Sequence, residues 1–325
     1  MSRRLAWGIV VLCIAIWGVN ATALKVAMRP GSGEAFDPIF LSGLRFLFVA
    51  PLLALGLFWQ DRALLRFTRR ELTMYACFGL SSIVVGEIIQ ALAVRYTSVA
   101  NLTLLSHGTI PLSTALWARG LYGEPFGKKA LLGAGIALIG VALVATHAPG
   151  GLRFGGETWR GDSLALLRAA LHGGFLTLLG RQLQTTPALK VTLGNVGFGA
   201  LWSLPYVLWR GAHFDFGAVA PLTWLAVFWT AVPTTLFGFV AWNAAVGTVG
   251  TVAATSAMYA LPFAAALGAF ALIHEPITLW HVLGGGLILT GIVLTRKRAN
   301  PLTPVQRGDN KELSLYPPRR AGDGG

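Results

Sequence analysis

One block of this sequence is written twice. Pro111, Ala115, Leu116, Ala118, Leu121, Glu124 and Pro125 recur as Pro262, Ala266, Leu267, Ala269, Leu272, Glu275 and Pro276. Downstream, Leu132, Gly133, Gly135, Leu138, Gly140 and Leu143 recur as Leu283, Gly284, Gly286, Leu289, Gly291 and Leu294. Every pair is 151 positions apart, with no gap. Matches of Leu and Ala come easily in an apolar chain, but matched Pro, Glu-Pro and Gly spacings on one offset do not. A long internal repeat sets the architecture before any local detail does. Both copies lie in long apolar segments, which points to a duplicated membrane fold.

Composition agrees. Of 325 residues, 54% are hydrophobic and 12% charged, against about 25% charged in soluble domains. The net charge of +13 does not mark a nucleic-acid binder, because the basic residues sit in short loops and a tail rather than on one face among aromatics. Cys13 and Cys77 both fall in apolar runs and read as small buried hydrophobes. Arg3 and Arg4 precede an apolar run, and Ala21-Thr22-Ala23 mimics a cleavage site. The run continues through Asn20 and Lys25 to Met28, however, so a retained first helix is expected rather than a signal peptide.

A bilayer-crossing helix needs about 20 mostly apolar residues. Ten segments qualify: 5–28, 38–59, 72–94, 99–117, 129–147, 163–183, 191–209, 222–246, 251–273 and 278–295. The expected fold is an all-α polytopic membrane protein of ten transmembrane helices. Residues 1–147 form a first five-helix repeat, 148–161 a Gly-rich linker, 162–298 a second repeat and 299–325 a disordered tail. Pro51 and Pro205 hold similar places in the second and seventh segments.

Lys and Arg concentrate on the cytoplasmic side of membrane proteins. With the N-terminus inside, inner segments and tail carry 18 Lys and Arg; the outer loops carry only Arg29, Arg95, Arg153, Arg160 and Arg210. Both termini are therefore expected in the cytoplasm, in a cell's inner membrane. An odd number of spans per half places equivalent loops on opposite sides. The loop after the fourth segment holds Arg119, Lys128 and Lys129, whereas its copy after the ninth holds His274, Glu275 and His281 but no Lys or Arg. Loss of positive charge in the second copy is what two inverted halves require.

Trp17-Gly18-x-Asn20, Leu44-Arg45-Phe46 and the repeated Pro…Glu-Pro block resemble the drug/metabolite transporter superfamily, and within it the EamA-type branch. The resemblance covers about residues 5 to 298. It implies ten helices in two inverted halves, with small metabolites moved through a central cavity by alternating access. Length and layout are similar to YddG-type exporters of aromatic amino acids. The sixth segment departs from the pattern, with Leu171-His172-Gly173 where the first has a Trp-Gly pair. A tryptophan-lined site is thus not expected on both sides.

Polar groups at membrane depth line water, pair with one another or mark a transport path. Those in the segments are Asn20, Lys25, Arg45, Glu87, Gln90, Asn101, His107, Arg168, His172, Asn195 and Asn243. Trp17, Asn20 and Leu24 share a helix face, as do Glu87 with Gln90, and Asn101 with Leu105. The cavity set expected from this pattern is Trp17, Asn20, Glu87, Gln90, Asn101, His107, His172, Trp242, Asn243 and Tyr259. Each has a structural alternative. Glu87 either carries a proton or neutralises Lys25 or Arg168. Asn20 serves substrate or a neighbouring helix. Arg45 snorkels outward, His107 and His172 are interior histidines or ligands, and mid-span Trp242 and Tyr259 line a cavity or pack helices. Glu124 and Glu275 read as loop anchors. Gly133 with Gly140, and Gly284 with Gly291, mark close helix approach, while Pro111, Pro233 and Pro262 mark bends.

No metal-ligand spacing, P-loop or nucleophile elbow occurs, so neither a metal nor another cofactor is expected. The expected function is secondary transport of a small molecule, an aromatic or hydrophobic amino acid first, other metabolites or amphipathic cationic drugs second. A channel and a membrane-embedded enzyme are the rival classes. The partners are that solute and the lipid bilayer, with a monomer or homodimer as the assembly.

Overall fold

In the computed structural model of the chain, the described residues are 1–28, 35–97, 99–125, 127–147, 151–152, 156, 158–273 and 278–295. All their regular elements are helical. They are α1 (Arg3–Ala27), α2 (Pro38–Gln60), α3 (Arg69–Phe78), α4 (Gly86–Tyr96), α5 (Val99–Leu102), α6 (Ile110–Tyr122) and α7 (Lys128–Thr146), then α8 (Thr158–Gln182), α9 (Ala188–Gly211), α10 (Pro221–Trp229), α11 (Gly238–Val249), α12 (Thr251–Ser256), α13 (Leu261–Ile273) and α14 (Leu279–Thr295). Seven helical runs among the described residues have the length and hydropathy to cross a membrane. The shorter α14 is also apolar.

The third and fourth expected segments are present as broken helices. Widened π turns, Gly79–Val85 and Thr103–His107, separate α3 from α4 and α5 from α6. A third, Thr230–Phe237, joins α10 to α11 and contains Pro233. Proline lacks the amide hydrogen an α-helix needs and forces its i−4 carbonyl aside. The first and third π turns begin 151 positions apart, so the helix distortion repeats with the sequence. Ser82 stands where the second copy has Pro233, and its hydroxyl donates to Phe78 O at 2.8 Å. The sixth segment starts earlier than expected: α8 begins at Thr158, inside the stretch read as linker. The tail falls outside the described residues.

Asp37 starts α2, its Oδ1 accepting from the Ile39 and Phe40 amides, with Pro38 at the first helical position where no amide is missed. Helix packing is paired between halves: α1 lies against α11 and α13, and α8 against α4 and α6. Two pairs join the halves directly, α2 with α9 and α7 with α14.

The α7–α14 pair is close and antiparallel. A Cβ on Gly140 would lie 2.6 Å from Gly284 O, and one on Gly133 would lie 2.7 Å from Gly291 O. The repeated glycines therefore cross head to tail, each filling the space a side chain would need. At one end the His147 ring, following α7, stacks on Trp280 near the start of α14 at 4.8 Å. Lys128 and Trp280 thus stand at opposite ends of the pair.

Outward faces are apolar, as lipid contact requires. Leu12, Phe48, Leu132, Ile139, Leu225 and Val293 are exposed. Trp59, Trp159, Trp209, Trp224 and Trp280 are exposed near helix ends, where tryptophans gather at membrane interfaces. Cys13 is buried as expected, but Cys77 is exposed on α3 rather than buried.

Candidate functional site

α1 presents Cys13, Trp17 and Asn20 on one face, and that face meets the π turn of the eighth span. The widened turn frees backbone oxygens from regular helical bonding, and α1 uses them. Trp17 Nε1 donates to Thr234 O at 3.3 Å, and Cys13 Sγ lies 3.6 Å from Gly238 O. Asn20 Oδ1 accepts from Thr234 Oγ1 at 3.1 Å. Gly238 allows the approach, since a Cβ there would lie 2.9 Å from Trp17 Nε1. The half-buried Trp17 ring packs against Trp242 at 5.0 Å and edge-on to Phe239 at 6.2 Å. Trp242 itself is 3% exposed. The structure brings Trp17, Asn20 and Trp242 together inside the bundle.

A second group forms on α8. Arg168 Nη1 donates to the buried Ser106 Oγ at 2.7 Å. His107 and His172 both lie within electrostatic range of Arg168, and of each other. His107 closes the π turn that also carries Ser106. The His172 ring packs on Phe175 at 5.7 Å, and Phe175 meets Phe78 edge-on at 5.4 Å. The sequence pattern separated Arg168 from the two histidines; its place one helical turn before His172 was the available signal.

The remaining expected residues are dispersed. Asn101 is fully buried and donates to Asp162 Oδ1 at 2.9 Å. Thr97 Oγ1 donates to the same oxygen at 2.6 Å, and Thr158 Oγ1 to Oδ2 at 3.2 Å. Asn101 is thus part of a clamp on the start of α8. Asn243 Nδ2 donates to Thr192 Oγ1 at 2.8 Å, tying α11 to α9. Tyr259 is 1% exposed among Ala137, Val141 and Ile288, and its hydroxyl has no hydrogen-bond partner among the described residues. Gln90 is half-buried on α4. The side chains of Glu87 and Lys25, and all of Glu275, lie outside the described residues. Arg45 is buried with its guanidinium over the Phe46 ring at 4.7 Å.

Two other connections were missed from sequence. Lys190, expected in an inner loop, is buried in the first turn of α9 and pairs with Glu71 Oε1 at 2.8 Å. Its ammonium also donates to Arg66 O at 3.1 Å and lies over the Phe67 ring at 4.9 Å. Asn195 Oδ1 accepts from Ser82 Oγ at 3.2 Å, at the π turn of the third span. Nothing in the local pattern announces partners 119 or 113 positions away. Concavities of about 290 and 230 Å³ open on the periphery, one over Leu44, Phe48, Trp224 and Phe228, the other over Phe67, Leu72, Phe198 and Leu201. Their exposed aromatic and leucine walls belong to the lipid-facing surface, apart from the Trp17 and Arg168 groups.

Apolar helical runs of spanning length, interfacial tryptophans and buried polar groups inside the bundle define a multi-pass membrane protein with a helical core. Comparison with known proteins then gives its kind. The profile of the EamA-like transporter family matches residues 5–146 and 159–297, so the chain belongs to that family and is a transporter rather than an enzyme. It is 25% identical over 292 residues to an uncharacterized transporter of Archaeoglobus fulgidus, covering 88% of this chain and 96% of that protein. It is 24% identical over 295 residues to a probable terminal-alkyne amino-acid exporter of Streptantibioticus cattleyicolor, covering 91% and 94% respectively. A solved crystal structure shares the fold, with a TM-score of 0.75 at 19% identity, covering 90% of this chain and 96% of the other.

Proposed function

We propose that the chain is a secondary transporter that exports amino acids, those with aromatic or hydrophobic side chains foremost. The observation that carries this reading is the Trp17–Trp242 pair inside the bundle, bordered by Phe239 and the Asn20 amide. Interior aromatics offer stacking surface to an apolar side chain, while amides and charges orient its polar end. The amino-acid exporter named among the relatives supports the substrate class.

In this reading ten helices form two inverted five-helix halves in the inner membrane, with both termini in the cytoplasm. Head-to-tail crossing of the repeated glycines in α7 and α14 supports it, as does the recurrence of π turns at one spacing. The halves enclose the site and open it to each side in turn. Trp17, Asn20, Trp242, His107 and His172 face the solute at some stage, with Gln90 beside them. Asn101 and Asn243 serve the scaffold through Asp162 and Thr192.

Counterflow in proteoliposomes tests the reading. Labelled phenylalanine should accumulate transiently when unlabelled phenylalanine is preloaded, with saturation and with inhibition by tryptophan and leucine. Uptake that does not saturate, or that ignores the preloaded solute, would sink it.

A further inference from the structure

The segment that joins α2 to α3 carries four arginines, Arg62, Arg66, Arg69 and Arg70, and all four are exposed. Two carboxylates share the segment. Asp61 caps the short turn Arg62–Leu65, accepting from the Ala63 amide at 2.9 Å. Glu71 is buried against Lys190 and caps α3. Arg62 lies over the Phe58 ring at 4.2 Å. Arg66, Arg69 and Arg70 form no ion pair among the described residues. Their charge faces outward at one end of the bundle.

These arginines border the concavity of about 230 Å³ between α3 and α9. Arg66 precedes Phe67, which walls it, and Arg69 stands one helical turn before Leu72, on the same face. The two helices run side by side in one direction. Lys190 meets Glu71, a Cβ on Gly194 would lie 2.5 Å from the Tyr75 ring, and one on Gly79 would lie 2.6 Å from Gly199 N. Those glycines close the back of the groove. Phe67 is fixed edge-on to Tyr75 at 5.8 Å and under the Lys190 ammonium at 4.9 Å. Trp202 Nε1 reaches across to Ala76 O at 3.0 Å. The groove stays open at Gly197, where a Cβ would meet only Leu193 Cδ1 at 3.8 Å. From Leu193 to Leu201 it follows α9 for about 12 Å at 1.5 Å per residue, within the roughly 15 Å of hydrocarbon in one leaflet. An apolar slot of that reach, entered past arginines, fits an acyl chain with an anionic head. Basic pockets between helices at a membrane surface bind such headgroups.

We propose that this groove binds one anionic phospholipid. Arg66, Arg69 and Arg70 hold its phosphate, and one acyl chain lies over Gly197 between Leu72, Phe198 and Leu201. Helix α3 falls in the first stretch matched by the family and α9 in the second, so the lipid bridges the two halves at their basic end. The site is separate from the Trp17 group and does not depend on which solute is carried.

Native mass spectrometry of the purified full chain in neutral detergent tests it. The probes are dioleoyl phosphatidylglycerol, dioleoyl phosphatidylcholine and glycerol phosphate. An arginine near an anionic surface is worth about a fivefold change in binding, so wild type should retain phosphatidylglycerol at about tenfold lower concentration than phosphatidylcholine. R66Q/R69Q/R70Q should remove that preference, and R66K/R69K/R70K should keep it. G197L fills the groove and should weaken retention of phosphatidylglycerol about tenfold. G135L, the same change at an exposed position of α7 with nothing within 4 Å, should leave it unchanged. Equal retention of both lipids by wild type, a preference that survives the glutamine triple, or G197L that retains lipid like wild type overturns the proposal. Glycerol phosphate that binds as tightly as the lipid also overturns it, since a free anion needs no groove. If the glutamine triple does not fold, R69Q takes its place, with a preference lowered about fivefold expected and an unchanged one overturning the site.

Discussion

Glu71 and Lys190 form a buried ion pair between α3 and α9, with side chains 10% and 6% exposed. Thr68 and Glu71 also form a reciprocal cap at the start of α3, through contacts of 2.8 and 3.2 Å. Burial pushes the Glu71 carboxyl up. The Lys190 and Thr68 hydrogen bonds and the Lys190 charge outweigh it and hold the pKa below the ordinary 4.5. A lowered carboxylate pKa stabilises the fold above the unfolded value and loses that contribution as pH falls through the folded one. The pair's contribution to thermal stability in detergent should therefore be full and independent of pH near neutrality, and be lost as pH falls below about 4.5. K190M alone strands a buried carboxylate and should cost about 3–5 kcal/mol, whereas E71M/K190M should recover most of it. Equal midpoints for wild type and K190M would contradict the assignment. Local pattern placed Lys190 in a loop because charge near a span end usually marks one. Its burial depends on a carboxylate 119 positions away. Asn101 shows the same limit of local pattern: it shares a helix face with Leu105, and its partner Asp162 lies 61 positions on.

At the scale of elements, paired helices α7 and α14 show what was readable. Gly133, Gly140, Gly284 and Gly291 were legible as contact positions because helical spacing places them on one face. That they meet one another, rather than lipid or a second copy, required the packing. G140L places a branched side chain where Gly284 O already stands 2.6 Å from a Cβ. Overpacking of this kind costs about 1–3 kcal/mol, so its unfolding midpoint should drop. G135L should not, because nothing lies within 4 Å of that position. The π turns were less legible. Pro233 signalled a bend, but Gly79–Val85 has no proline; there the Ser81 and Ser82 hydroxyls both donate to Phe78 O. The Trp17 contact with Thr234 O exists only because that turn is wide. W242A removes the ring packed on Trp17 and should raise the half-inhibitory concentration of aromatic solutes about tenfold, while W242F changes it little. Equal inhibition of W242A and wild type in counterflow would return Trp242 to helix packing.

For the whole molecule, the decisive quantity is the direction in which equivalent helices run. Lys129 and Trp280 are 151 positions apart, each near the start of a helix. Trp280 stacks on His147, at the far end of α7 from Lys129. A helix of 19 residues spans about 28 Å at 1.5 Å per residue, close to the hydrocarbon thickness of about 30 Å. If α7 crosses the bilayer, Lys129 and Trp280 therefore emerge on opposite faces. The charges agree, since Lys128 and Lys129 attend one start and no Lys or Arg lies between Ile273 and Thr295. With Cys13 and Cys77 replaced by alanine, K129C should react with an impermeant maleimide only after the cytoplasmic face is opened. W280C should react in intact cells. Labelling of both from one face would mean that the two halves run the same way, and a site shared between inverted halves would lose its geometric basis. Opposite labelling would place Trp17 and Arg168 on helices entering from opposite faces, as one site opening to each side in turn requires.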